Sequence, residues 1–286
     1  MRARKQESNR TEPAGWQHAR IRDLGFNKVM QTRSQWRSVE RVRLSLDDGV
    51  ATTAYVARYP LATTALRVRR LPTLTRLEAW CAAHDVTEAL VGGFYVRRTG
   101  VPPAPALTGL PLGELRLDGA LQPFVPFTHP WGERRACLSV VGSEVRIARR
   151  DELPESPSGD LLQAGPLLVR DGRAVRGDEE GFSAAADQFD SDITEGRHPR
   201  AALGCDGERL IALACDGRAG DEAGLSIDEL AATMAGLGAS EALNLDGGGS
   251  TSLVCEGRLC NHPREAHEVS VPGGREIATA LVFARR

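Results

Sequence analysis

The sequence predicts an α+β protein with one large domain, in which mixed, mainly antiparallel sheets are joined by two or three helices. Three observations lead there. Short alternating or apolar runs recur along the chain, separated by turn pairs: Asp47-Asp48-Gly49, Asp118-Gly119, Asp171-Gly172, Asp206-Gly207 and Glu256-Gly257. Such pairs between apolar runs are hairpin signals. Helix start signals are few, the clearest being Thr75-Arg76-Leu77-Glu78 and Ser226-Ile227-Asp228-Glu229, both of capping-box form. Finally, 286 residues allow one large domain or a compact pair. With 41% hydrophobic but only 5% aromatic residues, the core must be built on Leu, Val and Ala.

In chain order, residues 1–36 are polar, basic and poorly patterned, and read as a flexible arm or loose cover before a domain over 37–286. Val42, Leu44 and Leu46 alternate with polar residues, so a strand is expected before Asp47-Asp48-Gly49. Thr53–Arg58 and Leu66–Leu71 read as further strands. A helix capped by Thr75 presents Leu77 and Cys81 on one face and ends at His84-Asp85. Ala89-Leu90-Val91 is a short apolar strand running into Gly92-Gly93-Phe94-Tyr95. Residues 100–113, with Pro102, Pro103, Pro105 and Pro111, form an irregular loop. Hairpins follow around Asp118-Gly119, Gly142-Ser143 and Asp171-Gly172, then an acidic loop over 177–196. Strands flank Asp206-Gly207. A helix capped by Ser226 carries Leu230, Met234 and Leu237 on its apolar face and stops at Gly238. The strand Ala242–Leu245 leads into Asp246 and three glycines, a hairpin turns at Glu256-Gly257, and Ile277–Phe283 is a terminal strand. The order helix, strand, glycine turn occurs twice, at 75–94 and 226–249. This is a weak internal echo that would let both glycine turns face one site.

Composition narrows the function. A net charge of -2 provides no basic footprint for nucleic acid and no polybasic membrane patch. No run of eighteen apolar residues is present, so no membrane span is expected. The basic N-terminus is not followed by the apolar core of a signal peptide, which makes a cytoplasmic location the expectation. Six cysteines (81, 137, 205, 215, 255 and 260) form no C-x-x-C pair and match no zinc spacing. They are expected to be free thiols, several buried, although Cys255 and Cys260 flank a turn and would be able to pair in an exported protein. No cofactor and no required metal are expected: Asp216 and Asp246 can converge, but no His or Cys cluster joins them.

Chemistry concentrates at Asn244-Leu245-Asp246-Gly247-Gly248-Gly249-Ser250-Thr251. The i, i+2 spacing puts Asn244 and Asp246 on one face of a strand. Three consecutive glycines cost chain entropy; removing Cβ lets backbone amides approach a ligand and form an anion nest. Ser250 and Thr251 add hydroxyls. Glycines alone read equally well as a tight turn, but the whole segment fits a phosphorylated or polyhydroxy ligand. The Lys of a P-loop and the G-x-G-x-x-G spacing are both absent.

These residues resemble the signature of the phosphodiester glycosidase family. The likeness extends through Arg200-Ala201-Ala202-Leu203-Gly204, Cys215-Asp216-Gly217-Arg218, Gly224-Leu225-Ser226, Ala164-Gly165-Pro166-Leu167-Leu168, Gly92-Gly93-Phe94-Tyr95 and Asn261-His262-Pro263, covering about residues 40–286. One departure is Val91, where the family usually has Asn before its first Gly-Gly. The resemblance implies hydrolysis of the glycosidic bond in a sugar-1-phosphodiester of a small molecule or glycan. The leaving group is then a phosphomonoester with a second pKa of about 6, so the site's main tasks are to stabilise an oxocarbenium-like centre and hold phosphate. Asp246 is the expected nucleophile or base, and Arg200 the expected phosphate fork. Gly92, Gly93, Phe94, Asp216, Arg218, Asn244, Gly247, Gly248, Gly249, Ser250 and Thr251 are expected to line the substrate site. Asp216 also reads as a hairpin turn residue, Arg218 as a solvated one, and His198 as an acid-base group or a loop residue. Glu88 and Glu241 are expected to be exposed. A sugar-phosphate-binding protein without turnover is the alternative. The sequence leaves the sugar, the aglycone, the anomeric outcome and the oligomeric state open.

Overall fold

The computed structural model describes residues 39–97, 107–127, 131–175 and 196–286. The expected basic arm, most of the proline-rich loop's first half and nearly all of the acidic loop lie outside these residues. Strands β1 (Glu40–Ser45), β2 (Ala51–Pro60) and β3 (Thr64–Arg76) come first, followed by helix α1 (Leu77–Ala83) and β4 (Ala89–Val91). Next are β5 (Leu115–Leu117), β6 (Ala120–Leu121), the one-turn α2 (Trp131–Arg134), β7 (Ala136–Val141), β8 (Glu144–Arg149) and β9 (Asp160–Gln163). The remainder comprises β10 (Leu167–Arg170), β11 (Arg173–Ala174), β12 (Arg200–Cys205), β13 (Arg209–Cys215), α3 (Ile227–Gly236), β14 (Glu241–Asn244), β15 (Leu253–Cys255), β16 (Arg258–Leu259) and β17 (Glu276–Arg285).

The strands form three sheets: seven strands in the order β1-β2-β13-β12-β14-β10-β11, five in the order β16-β15-β4-β17-β3, and five in the order β6-β5-β9-β7-β8. Every ladder between these strands is antiparallel. The protein is therefore mainly β: the antiparallel pairing and the small number of helices are as expected, and α+β states the class loosely. Each expected turn pair closes a hairpin: β1–β2, β5–β6, β7–β8, β10–β11, β12–β13 and β15–β16. Asp118, Asp171 and Glu256 have φ of 47°, 51° and 52°, the left-handed conformation that such turns require.

The seven-stranded sheet is covered on both faces, which explains its continuous apolar strands. On one face Ala202, Ile211 and Leu213 join Leu230, Ala231 and Met234 of α3. On the other, Ala201, Leu203, Leu210 and Leu243 share a larger core with Leu90, Leu281 and Val68 of the second sheet and Leu138 and Leu162 of the third. Small residues in the central strands let these layers approach without aromatic filling.

The two expected caps fare differently. Ser226 Oγ accepts from Glu229 N (3.2 Å) while Glu229 Oε2 accepts from Ser226 N (2.9 Å), the full reciprocal box. Thr75 does not cap α1: its hydroxyl bonds the Thr73 carbonyl at 2.9 Å, and Arg76 occupies the cap position with no side-chain bond. Strand pairing wins there, because Thr75 and Arg76 are held opposite Ile277 and Glu276 of β17. Glu88 is not exposed either. It is 4% accessible, and its carboxylate accepts Tyr59 O–H (2.9 Å) and Glu256 N–H (3.0 Å). Glu241 is half-buried and accepts Ile147 N–H at 3.2 Å. All six cysteines are free, and only Cys260 is not fully buried.

Candidate active site

The two glycine turns meet. Strands β4 and β14 belong to different sheets, yet Asp246 N–H donates to Gly92 O at 3.0 Å. Gly92 N–H in turn donates to Thr279 O (2.9 Å) and Gly93 N–H to Thr279 Oγ1 (3.0 Å). Both glycines are packing solutions: a Cβ on Gly92 would stand 2.8 Å from the Thr279 carbonyl carbon and oxygen, and one on Gly93 would stand 3.2 Å from Leu162. Phe94 is buried behind them and Val91 is wholly inaccessible, its N–H bonded to Ser252 O.

Asn244 closes β14, with Nδ2 donating to Gly165 O at 3.2 Å and Oδ1 buried without a partner. The expected anion nest is not what the three glycines make. Gly247 N–H donates to Asp246 Oδ1 (2.9 Å), Gly248 N–H to Pro199 O (2.8 Å), Ser250 N–H to Gly247 O (3.2 Å) and Thr251 N–H to Gly248 O (3.1 Å). The glycines instead make room for side chains. A Cβ on Gly249 would fall 2.6 Å from Glu265 Oε1, and one on Gly247 would fall 2.9 Å from Pro199 O. Gly248, with φ of 60°, lies under Arg218, whose guanidinium would be 3.2 Å from a Cβ there. Ser250, Thr251 and Ser252 are buried with hydroxyls that form no well-made hydrogen bond.

Asp246 is 8% accessible. Burial pushes its carboxyl above the ordinary aspartate range; the positive charge of Arg275, the Ser250 hydroxyl, the Gly247 amide and Arg97 pull the other way without prevailing. Burial also pushes the Tyr95 phenol up to about 12, with the Asp246 charge adding to the effect. Burial pulls Arg275 down, but its hydrogen bonds to Glu265 and the charge of Asp246 outweigh that and leave it above the usual guanidinium range. Arg275 Nε reaches Glu265 Oε1 at 2.6 Å, and a second nitrogen completes the fork. For Glu265, burial is outweighed by Arg275, and its carboxyl lies below the ordinary range.

The other predicted groups fall around this centre. Arg200 is 2% accessible, and it spends Nε on Leu225 O (3.0 Å) and one terminal nitrogen on Gly196 O (3.3 Å). It braces the segments beneath Gly247, whose notional Cβ is 3.9 Å from its Cδ. Arg218 is not solvated: its side chain is 9% exposed, its Nε lies 3.3 Å from His198 Nδ1 and its NH1 lies 3.9 Å from Glu265. Asp216 is no hairpin residue. It directly follows β13, is 2% accessible, and accepts His262 N–H (2.6 Å), His262 Nδ1–H (3.1 Å) and Tyr55 O–H (3.3 Å). Asn261 ties this edge to the turn, donating to Thr251 O (2.9 Å) and accepting Leu253 N–H (3.0 Å).

Arg275, Glu265, Tyr95 and Tyr55 did not emerge as site residues from the sequence: Tyr95 lay in the Gly92-Gly93-Phe94-Tyr95 motif and Tyr55 in an expected strand without a role assigned, and Glu265 and Arg275 sit in unremarked stretches. His262 lay within a recognised motif, but its role depends on a carboxylate 46 residues away. Among the described residues, no cluster of three or more His, Cys, Asp or Glu is arranged to hold a metal ion.

Residues 84–284 match the family model described as phosphodiester glycosidase. The chain belongs to the phosphodiester glycosidase family. Among solved structures it is similar to the catalytic domain of zebrafish N-acetylglucosamine-1-phosphodiester alpha-N-acetylglucosaminidase, auto-inhibited by its pro-peptide. That likeness has 21% identity and a TM-score of 0.64, over 87% of this chain and 83% of that one. A hypothetical protein from Synechocystis is similar at 19% identity and TM-score 0.58, over 87% of this chain and 62% of its own. A putative exported protein from Burkholderia pseudomallei follows at 17% and 0.57, over 82% and 74%. At these identities the structural likeness speaks for the fold. No curated protein matches the chain significantly.

Proposed function

We propose that this member of the family hydrolyses the glycosidic bond of a sugar-1-phosphodiester, releasing the sugar and a phosphomonoester. One observation carries the reading: a buried carboxylate, Asp246, sits at a turn over which glycines admit two guanidiniums, Arg218 and Arg275. The upward shift of Asp246 makes it a stronger base than an exposed aspartate, suited to take a proton from attacking water or to support positive charge at the anomeric carbon. The guanidiniums suit the phosphoryl oxygens. Arg200 braces the backbone beneath the turn, and the buried Ser250 hydroxyl acts on Asp246 itself. The acylated sugar of the zebrafish enzyme's name motivates the first substrate to try.

The test uses the methyl phosphodiester of N-acetylglucosamine 1-phosphate, with free sugar and the new phosphomonoester followed by phosphorus NMR. Wild type is expected to turn over, and Asp246→Asn to lose roughly 10²–10⁴-fold in rate, the usual worth of a positioned acid-base group. An Asp246→Asn variant with full activity would refute the assignment. Val91 favours a second reading, binding without turnover: an apolar, inaccessible side chain stands where the family has Asn. Thermal stabilisation by the same compound, with no sugar released, would select it.

A further inference from the structure

Two loops run side by side over the glycine turn. One carries Asp216 and Arg218; the other carries Asn261, His262 and Glu265. They are cross-tied twice, by Asp216 to His262 and by Arg218 to Glu265. Within this tie the two partners differ sharply. The Asp216 side chain is 3% exposed, whereas the His262 side chain is 67% exposed.

A carboxylate only accepts, so His262 Nδ1 at 3.1 Å must be the nitrogen that donates to Asp216 Oδ2. Its main-chain N–H holds the other carboxylate oxygen at 2.6 Å, which fixes the backbone as well as the ring. Tyr55 O–H lies 3.3 Å from Asp216 Oδ2 and 3.4 Å from the same ring nitrogen, and Arg41 and Glu222 act on Tyr55 from farther away. Beyond Asp216, the charged groups on the first loop are Arg218, Asp221 and Glu222, and those on the second are Arg264, Glu265, Glu268 and Arg275. Nε2 is thereby the nitrogen left for a ligand, on a side chain that is 67% exposed and next in sequence to Asn261, which grips Thr251 of the glycine turn. A buried acid that orients an exposed imidazole by one nitrogen is the arrangement that supplies a proton through the other.

We propose that His262 is the general acid that protonates the departing phosphomonoester, and that Asp216 is its positioning residue. The inference rests on the glycosidase reading above. As the C1–O bond breaks, its electron pair passes to the phosphate oxygen. Nε2–H gives its proton to that phosphate and leaves a neutral imidazole. Water adds to C1 and loses a proton to Asp246, and solvent exchange resets both groups. A phosphomonoester takes its second proton at about pH 6, so a positioned proton donor assists its departure.

The experiment compares two substrates: the methyl phosphodiester of N-acetylglucosamine 1-phosphate, and N-acetylglucosaminyl fluoride, whose leaving group needs far less acid help. His262→Gln is expected to lose about 10²-fold in kcat on the diester with little change in KM, and to stay within a few-fold of wild type on the fluoride. Asp216→Asn is expected to show the same selective loss, and the double variant to be no slower than His262→Gln, since both act through one proton. Melting temperatures verify folding. Equal losses on both substrates, or full diester activity in His262→Gln, would overturn the assignment while leaving the glycosidase reading intact. A wild-type protein inert toward both substrates would instead defeat the glycosidase reading, and this inference with it.

Discussion

Gly92→Ala is the sharpest structural test of how the site is assembled. The added methyl would stand 2.8 Å from both the carbonyl carbon and the oxygen of Thr279, and closer still to its hydroxyl. The hydroxyl could rotate away, but the carbonyl lies in β17, which is paired on both sides with β3 and β4. The backbone must therefore move, and the cost belongs at the upper end of the overpacking range, about 3 kcal/mol. For domains of 150–250 residues each kcal/mol lowers the melting temperature by roughly 2–4 °C, so a loss of about 6–12 °C is expected, toward the smaller figure in this larger chain. Scanning calorimetry with Gly220→Ala as the control measures it. At Gly220 a Cβ meets nothing within 4 Å and the backbone is not left-handed, so that variant should be neutral or slightly stabilised, by up to about 1 kcal/mol. If Gly92→Ala melts with wild type, or if Gly220→Ala falls as far, the close packing of Gly92 against β17 is not what the geometry indicates.

Other expectations concern the caps and the buried acid. Ser226→Ala should cost about 1 kcal/mol in urea denaturation through loss of the α3 box, whereas Thr75→Ala should stay within about 0.5 kcal/mol because that hydroxyl caps nothing. Burial raises the folded-state titration of Asp246 above the ordinary aspartate value, so ionising it opposes folding. The stability it permits is fully present below the unfolded value and is lost as pH rises through the folded one. Asp246→Asn should thus melt higher than wild type at pH 7, with the gap closing as pH falls toward 4; a constant gap would show that the carboxyl is not raised. Loss of activity together with gain of stability in this one variant would mark Asp246 as a residue kept for function.

Much of this architecture was legible in the sequence because turn chemistry is local. Asp118-Gly119, Asp171-Gly172 and Glu256-Gly257 specify hairpins whatever surrounds them, and Ser226 with Glu229 closes a cap within one turn. The failures were long-range. Thr75 carries a good capping pattern, but it was captured by β17, which no local rule can see. Glu88 looks like a solvent-facing residue at a strand start until Tyr59 and the Glu256 amide arrive. At the site, the Asp246 turn and Arg218 were readable, but the anion nest was misjudged because glycine serves two purposes: it frees amides for a ligand, or it clears space for side chains. Here Glu265 and Arg275, far along the chain, take that space.

The placement of β17 bears on how the protein comes to exist. This strand follows every other described strand in sequence order, yet it lies between β3 and β4, two of the earliest, and its Thr279 anchors Gly92 and Gly93. During synthesis the second sheet therefore has a gap at its centre until residues 276–285 have been made, with the apolar edges of β3 and β4 waiting. Closure over so many intervening residues is entropically slow. The Asp246 turn is hydrogen-bonded to Gly92, which β17 holds in turn, so its support is complete only when that gap is filled, and until then the open strand edges are prone to pairing with other chains.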